Sequence, residues 1–326
     1  MSASPCYRHH DPMAEETTHA TASRPATTIR GDLMALTKAR LSFLVVVTTA
    51  VGFVLASRGA DLDWWRLFHT LLGTSMAAFG SSVFNQLMEI DADARMERTR
   101  ERPLPGRRMA PGLAFGIGWL LSAFALIHLS RLVNVGAALL TALTLAVDIF
   151  VYTPLKQRSS SNTLVGAVAG AIPPVIGWVA AAGPTPDGRF FRGELLAEPG
   201  AAFLFLLLFF WQLPHFVAIN WMYRDQYING GFVMWSNDDA TGRRTATLAI
   251  AFSLGLSATM LLPYLRGAAG LPFLATSLAF SLAMVALAAR FFKTRDRQSA
   301  RTLFFYTLAY LPILLLITLL TWNTTK

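Results

Sequence analysis

The sequence is poor in charged residues. Asp, Glu, Lys and Arg together make up only 14% of its 326 residues, well below the roughly 25% that is usual in soluble domains. Hydrophobic residues account for 54% of the chain and are gathered into long runs. This composition excludes an ordinary soluble domain and predicts a protein that crosses a membrane several times.

Cysteine is almost missing as well. Cys6 is the single cysteine, so the chain cannot form an intramolecular disulfide. Acidic residues are outnumbered, since the formal net charge is +9. A nucleic-acid-binding protein would carry this excess on a folded soluble face, whereas here the basic residues lie mostly in short loops between apolar runs. We therefore expect no nucleic-acid partner.

The chain divides into a polar tail and a membrane domain. Residues 1–34 are rich in Ser, Thr, Ala and His and contain no apolar segment of the kind found in a signal peptide, so we predict a disordered tail. Residues 35–326 form the predicted membrane domain. It contains nine apolar runs near the length of about 20 residues that a bilayer requires, at about 41–57, 68–88, 111–129, 132–152, 163–182, 200–222, 246–264, 270–290 and 303–322.

The basic residues predict the topology. With the N-terminus in the cytoplasm, 21 of the 28 Lys and Arg residues fall on the cytoplasmic side and 7 on the other, as the positive-inside rule requires. The predicted fold is thus an all-α bundle of nine transmembrane helices. Its N-terminus is cytoplasmic, and the polar loops after runs two, four and six open to the cytoplasmic side.

The densest polar stretch, residues 85–105, follows the second run as NQLMEIDADARMERTRERPLP. In a continuous helix, the i, i+4, i+8 spacing of Asn85, Glu89 and Asp93 would place all three on one face. Carboxylate and amide oxygens are hard ligands that suit Mg²⁺. Arginines nearby would hold the phosphate oxygens that the metal leaves free, and the candidates are Arg98 and Arg102.

A second polar stretch, VDIFVYTPLKQRSSSNTLVGAVAGAIPPVIGW, follows the fourth run. Lys156 and Arg158 could reach a phosphate there, and Tyr152 flanks them at the helix end. The pair Pro173–Pro174 predicts a break or kink in the fifth helix. Glycines predict close approach of that helix to its neighbours, at Gly166, Gly170 and Gly177.

A third stretch, FFWQLPHFVAINWMYRDQYINGG, places Trp211 and His215 one helical turn apart, with Asp225 just beyond the helix end. On the predicted topology all three stretches lie on one side of the membrane. Together they would supply carboxylates, cations and a further carboxylate. This set predicts a metal–diphosphate site beside a helix bundle that encloses a long hydrophobic substrate.

Each of these residues also has an ordinary structural interpretation. Glu89 and Asp93 could be solvated loop residues that only set topology. Trp211 could be an aromatic residue of the membrane interface. His215 could be hydrogen-bonded within the bundle, although ionisable residues inside membranes usually mark function. The coincidence of three polar loops on one face favours the functional interpretation.

Several motifs in order resemble one known family. The pattern of Asn85, Glu89 and Asp93 is similar to the first acidic motif of the UbiA superfamily of intramembrane prenyltransferases. The runs DADARMERTRERPLP, YTPLK, NTLVGAVAGAIPP and WQLPHF resemble the branch of that superfamily that farnesylates haem. The resemblance covers about residues 35–322.

The chain departs from this family at three places. Ala39 stands where the family usually has proline, and Gln157 replaces the second member of a Lys-Arg pair, with Arg158 next to it. The family also places aspartate directly before the tyrosine of its second acidic motif. Here that position is Gln226, and Asp225 comes one residue earlier, about 100° away around a helix.

The resemblance implies a reaction and its participants. It implies transfer of farnesyl from farnesyl diphosphate to a vinyl group of haem b, with addition of water, and Mg²⁺ as cofactor. It implies Asn85, Glu89, Asp93 and Asp225 as catalytic metal ligands, and Arg98, Arg102, Lys156 and Arg158 as diphosphate ligands. The candidate haem contacts are His215, Trp211 and Tyr152.

The expected surroundings follow from the same resemblance. They are a lipid bilayer, here the bacterial inner membrane with the mitochondrial inner membrane as alternative, and candidate partners in haem A synthase or oxidase assembly proteins. Two other functions stay open at this point. One is a prenyltransferase of the same superfamily with an aromatic acid or a chlorin as acceptor. The other is a transporter, whose broken helices can produce similar patterns.

Overall fold

A computed structural model describes residues 28–184 and 192–323. Within these residues the regular structure is helical, apart from one isolated bridge between Ala269 and Trp322. Two short segments are a π-helix at Val147–Tyr152 and a 3-10 helix at Gly193–Ala197. The α-helices, numbered α1 to α15, are Ile29–Leu36, Ala39–Ala56, Trp64–Met88, Ile90–Arg95, Pro111–Leu132, Val135–Ala146, Thr153–Leu155, Asn162–Ala171, Pro173–Ala181, Pro199–Met222, Arg224–Gly230, Arg243–Thr259, Leu261–Leu265, Leu271–Thr294 and Arg297–Thr321.

The long helices account for the predicted membrane spans. In the part of the chain that the structure describes, eight helical stretches are long and apolar enough to cross a bilayer, and the bent pair Ile29–Leu36 and Leu41–Ala56 would make a ninth. The predicted all-α membrane bundle is confirmed. The orientation of the termini stays a prediction from the charge bias.

The predicted boundary at residue 35 is too late. Helix α1 begins at Ile29, because Thr28 caps it by accepting a hydrogen bond from the Gly31 backbone N–H at 3.1 Å. Helix α1 then packs near the end of α3, where the side chain of Gln86 donates to the Leu36 carbonyl at 2.6 Å. Residues 1–27 of the predicted tail lie outside the described residues.

Local sequence signals set several helix starts. Asp63, Asn134 and Asp296 precede α3, α6 and α15, and each accepts the backbone N–H three residues ahead, at 2.8, 2.7 and 2.6 Å. A cap of this kind contributes ~1 kcal/mol. Pro111 and Pro199 stand in the first turns of α5 and α10, where a missing N–H costs nothing.

Two helices are interrupted close to the predicted polar loops. Helix α3 ends at Met88, since Glu89 has the non-helical angles φ −109° and ψ 12° before α4 begins. The fifth span divides at Ile172 into α8 and α9, as the pair Pro173–Pro174 predicted. The two breaks change the direction of the side chains that follow them.

Glycines allow unusually close helix packing between α2 and α9. A Cβ atom at Gly177 would lie 1.9 Å from the Thr49 carbonyl oxygen, and one at Gly52 would lie 1.9 Å from the Pro174 carbonyl oxygen. Helix α9 is almost wholly buried as a result. The close approach predicted for the glycines of the fifth span is therefore confirmed.

We predict that Gly177→Ala destabilises the protein. The new methyl group would meet a backbone atom that no side-chain movement can displace, and overpacking of this kind costs about 1–3 kcal/mol. The measurement is the melting temperature in detergent. Gly116→Ala on α5 is the matched control, because a Cβ there has no neighbour within 4 Å and alanine favours helix. Equal melting temperatures for the two variants would contradict the close contact.

Candidate functional site

The three predicted polar loops meet at one end of the bundle. Arg95 donates to the Gly230 carbonyl at 2.9 Å, which joins the first loop to the third. The Val233 N–H donates to the Lys156 carbonyl at 2.7 Å, and Asn162 donates to the Val233 carbonyl at 2.7 Å. These bonds connect the second loop to the third. The three loops therefore form one structure, as the sequence predicted.

Two ion pairs lie at the centre of this structure. Lys156 Nζ is 2.7 Å from Glu89 Oε1, and Arg102 Nη1 is 2.6 Å from Asp93 Oδ2. Glu89 is 5% exposed and Asp93 is 1% exposed. Charge-assisted bonds at such distances are strong in a low-dielectric site. Each carboxylate thus has its own cationic partner.

Burial and pairing set the ionisation of these groups. Burial raises the pKa of Asp93 above its ordinary value, while the Arg102 guanidinium acts in the opposite direction. Burial also tends to lower the pKa of Lys156, but Tyr152 and Glu89 outweigh it and raise that pKa above its ordinary value. Lys156 is therefore a permanent cation at neutral pH.

A cavity of about 450 Å³ surrounds the two ion pairs, and we call it the charged cavity. Cationic side chains outnumber carboxylates in its lining, with Glu89 and Asp93 facing four cations, which are Lys38, Arg98, Arg102 and Lys156. The excess of positive charge in a partly enclosed space favours an anionic ligand.

Aromatic rings fix two of these cations. The Arg98 guanidinium carbon lies 5.4 Å from the ring centre of Tyr223 and 5.9 Å from that of Tyr227. Lys156 Nζ lies 4.4 Å from the ring centre of Tyr152. Cation–π contacts of this kind stabilise a charge without neutralising it. Arg98, which has no ion-pair partner among the described residues, is therefore available to an anion, whereas Lys156 is also paired with Glu89.

A second cavity of about 340 Å³ lies among the membrane-spanning helices, and we call it the membrane cavity. It shares Leu41, Tyr152 and Phe216 with the charged cavity, so the two are neighbours. Its walls are fitted closely, since a Cβ at Gly166 would lie 2.6 Å from the Tyr152 ring. Mostly apolar residues line it, which suits a hydrocarbon chain.

The structure places the aromatic candidates differently from one another. His215 lines the charged cavity, stacks on Phe304 at 4.7 Å between ring centres, and shares a 2.9 Å hydrogen bond between Nδ1 and Thr307 Oγ1. Tyr152 lines both cavities. Trp211 is instead buried in the core and donates to the Thr307 carbonyl at 2.7 Å. Its predicted contact with haem stays a prediction.

Asn85 does not share a face with Glu89 and Asp93. The expectation of one continuous helix is wrong, because the backbone leaves helical geometry at Glu89. The amide oxygen of Asn85 accepts from Thr153 at 2.6 Å, and its amide nitrogen donates to Asp148 at 2.9 Å. Asn85 lines the membrane cavity. Its predicted role as a metal ligand stays a prediction that this geometry does not favour.

Two further candidates point away from the charged cavity. Asp225 is exposed on the short helix α11, and the neighbouring Gln226 has a buried amide oxygen without a hydrogen-bond partner among the described residues. Arg158 is exposed beside a separate depression near Pro154 and Gln157. The structure therefore does not bring Asp225 or Arg158 to the ion pairs.

Sequence reasoning missed three residues of the two cavities. Lys38 lines the charged cavity from the start of α2, and Asn220 lines it from α10 with its amide nitrogen buried and unpaired among the described residues. Asp148 lines the membrane cavity. Asp148 carried a visible signal, since it is a lone carboxylate inside the long apolar run at 132–152.

The charged cavity fits a magnesium ion in its ligand chemistry. Mg²⁺ is usually bound by one or two carboxylates together with substrate phosphates. Glu89 and Asp93 supply two carboxylates, and the surrounding cations supply contacts for phosphate. In the described ranges no group of three or more acidic, His or Cys side chains forms a closed metal cage. A site in which substrate phosphates complete the coordination of the metal does not need a closed cage of protein ligands.

Fold and site together define an intramembrane enzyme for a substrate with an anionic head and an apolar body. A charged cavity at the helix ends adjoins a cavity between the spans, and this arrangement accommodates the two parts of such a molecule. The family model for UbiA prenyltransferases matches residues 45–310. The chain belongs to the UbiA prenyltransferase family.

Curated relatives extend this assignment. The chain is 41% identical over 286 residues to the protoheme IX farnesyltransferase of Opitutus terrae. The aligned region covers 87% of this chain and 92% of that protein. The chain is 35% identical over 291 residues to the protoheme IX farnesyltransferase of Solibacter usitatus, with 87% and 96% covered. The mitochondrial protein of that name from Arabidopsis thaliana is 36% identical, with 85% and 62% covered.

Solved structures support the fold. A digeranylgeranylglyceryl phosphate synthase superposes with a TM-score of 0.72 at 14% identity, covering 89% of this chain and 96% of that one. A UbiA homologue from Archaeoglobus fulgidus, bound to DMAPP and Mg²⁺, gives a TM-score of 0.55 at 12% identity, with 86% and 99% covered. At this level of identity the likeness establishes the helical architecture.

We predict that Lys156→Met destabilises the protein far more than the double variant Glu89→Gln/Lys156→Met. The single change leaves the Glu89 carboxylate buried without its partner, which costs ~3–5 kcal/mol, whereas removing both charges is close to neutral. The free energy of unfolding in mixed detergent measures both. Arg158→Met, at an exposed site two residues away, is the control and should change little. Equal losses in the single and double variants would argue against the buried pair.

Proposed function

We propose that this protein transfers the farnesyl group of farnesyl diphosphate to a vinyl group of haem b and adds water, giving haem O and diphosphate. The observation that carries the proposal is the match over nearly the whole chain to protoheme IX farnesyltransferases. The charged cavity and the adjoining membrane cavity support it, because they suit the diphosphate and the hydrocarbon parts of one substrate.

The difficult step is departure of diphosphate, which leaves an allylic cation. Lys156, Arg102, Arg98 and Lys38 surround the space for the diphosphate and stabilise the negative charge that develops on it. Arg102 and Lys156 are paired with carboxylates before the substrate enters. The diphosphate therefore takes over cations that are already positioned, and little reorganisation is needed.

Glu89 and Asp93 are the residues that would hold Mg²⁺. Both line the charged cavity, both are buried, and both offer hard oxygen ligands. When bound, the metal neutralises charge on the leaving diphosphate. The exposure of Asp225 and the side-chain bonds of Asn85 leave these two carboxylates as the basis of the metal proposal.

Haem b is proposed to bind in the charged cavity against α10 and α15. His215 and Phe304 form a stacked aromatic wall there, and His215 Nδ1 is held by Thr307. Asn220 adds a buried amide donor without a partner among the described residues, and an unsatisfied donor of this kind is suited to a ligand oxygen. These residues orient the acceptor vinyl group toward the junction at Tyr152.

The membrane cavity is proposed to hold the farnesyl chain. Its apolar lining keeps water away from the allylic cation until the vinyl carbon attacks it. Tyr152 stands between the two cavities and contacts Lys156 through its ring face. The carbon that bears the diphosphate would therefore lie near Tyr152, where head and tail of the substrate meet.

The apolar helices indicate a membrane protein, and the particular membrane is part of what we propose. The chain has spans for a lipid bilayer, and its relatives include bacterial and mitochondrial proteins. We assign it to the bacterial inner membrane. Haem A synthase and oxidase assembly proteins are proposed partners, as the family resemblance implies.

The test is incubation of membranes containing the protein with haem b, farnesyl diphosphate and Mg²⁺. We expect a pigment heavier than haem b by one farnesyl group and one water, measured by mass spectrometry of the extract. Formation should cease when EDTA removes the metal. A prenylated aromatic acid or chlorin in parallel incubations, with haem b unchanged, would overturn the haem assignment in favour of another acceptor.

We predict that Arg102→Ala raises the KM for farnesyl diphosphate by about tenfold or more, the equivalent of one charge-assisted hydrogen bond. Arg158→Ala is the matched control, because this arginine is exposed and lies outside the charged cavity. Steady-state kinetics with varied farnesyl diphosphate measure both. Equal KM values for the two variants would remove Arg102 from the diphosphate site.

A further inference from the structure

One carboxylate inside the membrane-spanning part has no role in the reaction as described so far. Asp148 belongs to the π-helical segment Val147–Tyr152, within the span Val135–Leu155. An acidic side chain within a span is costly and usually marks a functional site. Single π-helical turns inside α-helices are also frequent at functional sites. Asp148 combines both features.

Hydrogen bonds orient this carboxylate through one of its two oxygens. Oδ2 accepts from the Ser81 hydroxyl and, at 2.9 Å, from the Asn85 amide. The Thr153 hydroxyl links the same residues, since it donates to Asn85 Oδ1 at 2.6 Å and to the Asp148 carbonyl at 2.8 Å. Oδ1 has no hydrogen-bond partner among the described residues. One oxygen is thus fixed and the other is free to accept.

The free oxygen has access to the membrane cavity. Asp148 is half-buried and lines this cavity, four residues before Tyr152, where the membrane cavity and the charged cavity adjoin. Both residues belong to the same π-helical segment. Asp148 therefore lies near the place where the farnesyl carbon and the vinyl group are proposed to meet.

Asp148 also differs from the other two carboxylates in charge balance. Glu89 is paired with Lys156 and Asp93 with Arg102, but no Lys or Arg of the described chain lies within ion-pair distance of Asp148. Among the carboxylates of the two cavities, Asp148 is the one that has no ion-pair partner in the described chain.

We propose that Asp148 is the catalytic base of the hydration step, a proposal that rests on the function proposed above. The terminal vinyl carbon bonds to farnesyl through the vinyl π pair as the bond to diphosphate breaks, which leaves a cation on the inner vinyl carbon. A lone pair of a water held by Asp148 Oδ1 forms a C–O bond to that carbon. One O–H bond of this water breaks, its electrons stay on oxygen, and the proton goes to Asp148.

The placement of Asp148 also explains how one water is used without general access of water. The membrane cavity is mostly apolar, and its polar positions near the carboxylate are the hydroxyl and amide groups of Ser81, Ser82 and Asn85. A single water bound to Oδ1 would have polar partners there. The other hydroxyl and amide groups of the lining donate to backbone carbonyls, and they belong to Ser42, Thr74, Thr141, Thr144 and Gln212. Hydration is therefore confined to the side of the cation that faces Asp148.

The test compares products of Asp148→Asn with those of the natural protein. The variant keeps an acceptor for Ser81 but cannot take the proton. We expect diphosphate release to continue in the presence of haem b, while the hydrated product falls by about a hundredfold, the lower range for a positioned base. A farnesylated haem lighter by one water should replace it, because the cation then loses a proton from carbon. Asp148→Glu should recover part of the hydrated product.

A second pair of variants covers the case in which Asp148→Asn does not fold. Ser81→Ala removes one donor that orients the carboxylate, and we expect a smaller fall in the hydrated fraction. Ser75→Ala is the matched control on α3, because the Ser75 hydroxyl donates within its own helix to the Leu71 carbonyl at 2.6 Å. Its hydrated fraction should not change.

The outcomes separate this proposal from the function on which it rests. If the natural protein forms no farnesylated haem, the proposed function fails. If it forms haem O and Asp148→Asn forms the same hydrated fraction, the role of Asp148 is refuted alone. Loss of diphosphate release and of all farnesylated haem in a variant with the natural melting temperature would also refute it, since Asp148 would then act before hydration.

Discussion

Two buried ion pairs are the constraint on which the rest of this end of the molecule depends. Taking a carboxylate and a cation out of water costs several kcal/mol for each ion, and the cost is offset only when partners meet with good geometry. Glu89 and Lys156 come from different spans, and Arg102 must fold back over the loop to reach Asp93. The break in α3, the end of α7 and the first loop are therefore fixed together, and the charged cavity is the space between them.

Close packing of helices shapes the membrane cavity and its boundary with the charged cavity. The membrane cavity exists because side chains from neighbouring spans rest on glycines of α8, as Tyr152 does on Gly166 and Gln212 on Gly170. A larger residue at either glycine would push that side chain away. Tyr152 thereby receives a defined position, with one edge toward the hydrocarbon space and one face on Lys156. The boundary between the membrane cavity and the charged cavity therefore depends on the Tyr152 side chain, which contacts Gly166 on one side and Lys156 on the other.

Much of the fold could be predicted from the sequence, because hydropathy fixes the spans and prolines fix the break before α9. The meeting of the three loops was also predictable. The orientation of individual side chains was not. The spacing of Asn85, Glu89 and Asp93 fits one helix face, but pairing of Glu89 with Lys156 is made with a non-helical backbone at Glu89. The backbone conformation at Glu89 depends on a contact with a residue far away in the chain. The periodicity of the sequence gives no information about such contacts.

Charge pairing also separates the two stages of a reaction that must first exclude water and then use it. Glu89 and Asp93, the carboxylates that we propose to hold the metal, are each paired with a cation in the charged cavity. Asp148 accepts hydrogen bonds from neutral donors only, the Ser81 hydroxyl and the Asn85 amide, and this setting suits the base that we propose. Carboxylates of one chemical type thus have different functions, because one set has cationic neighbours and the other has hydroxyl and amide neighbours. The Ser81 and Asn85 side chains that hold the Asp148 carboxylate are also proposed partners of the water that reacts.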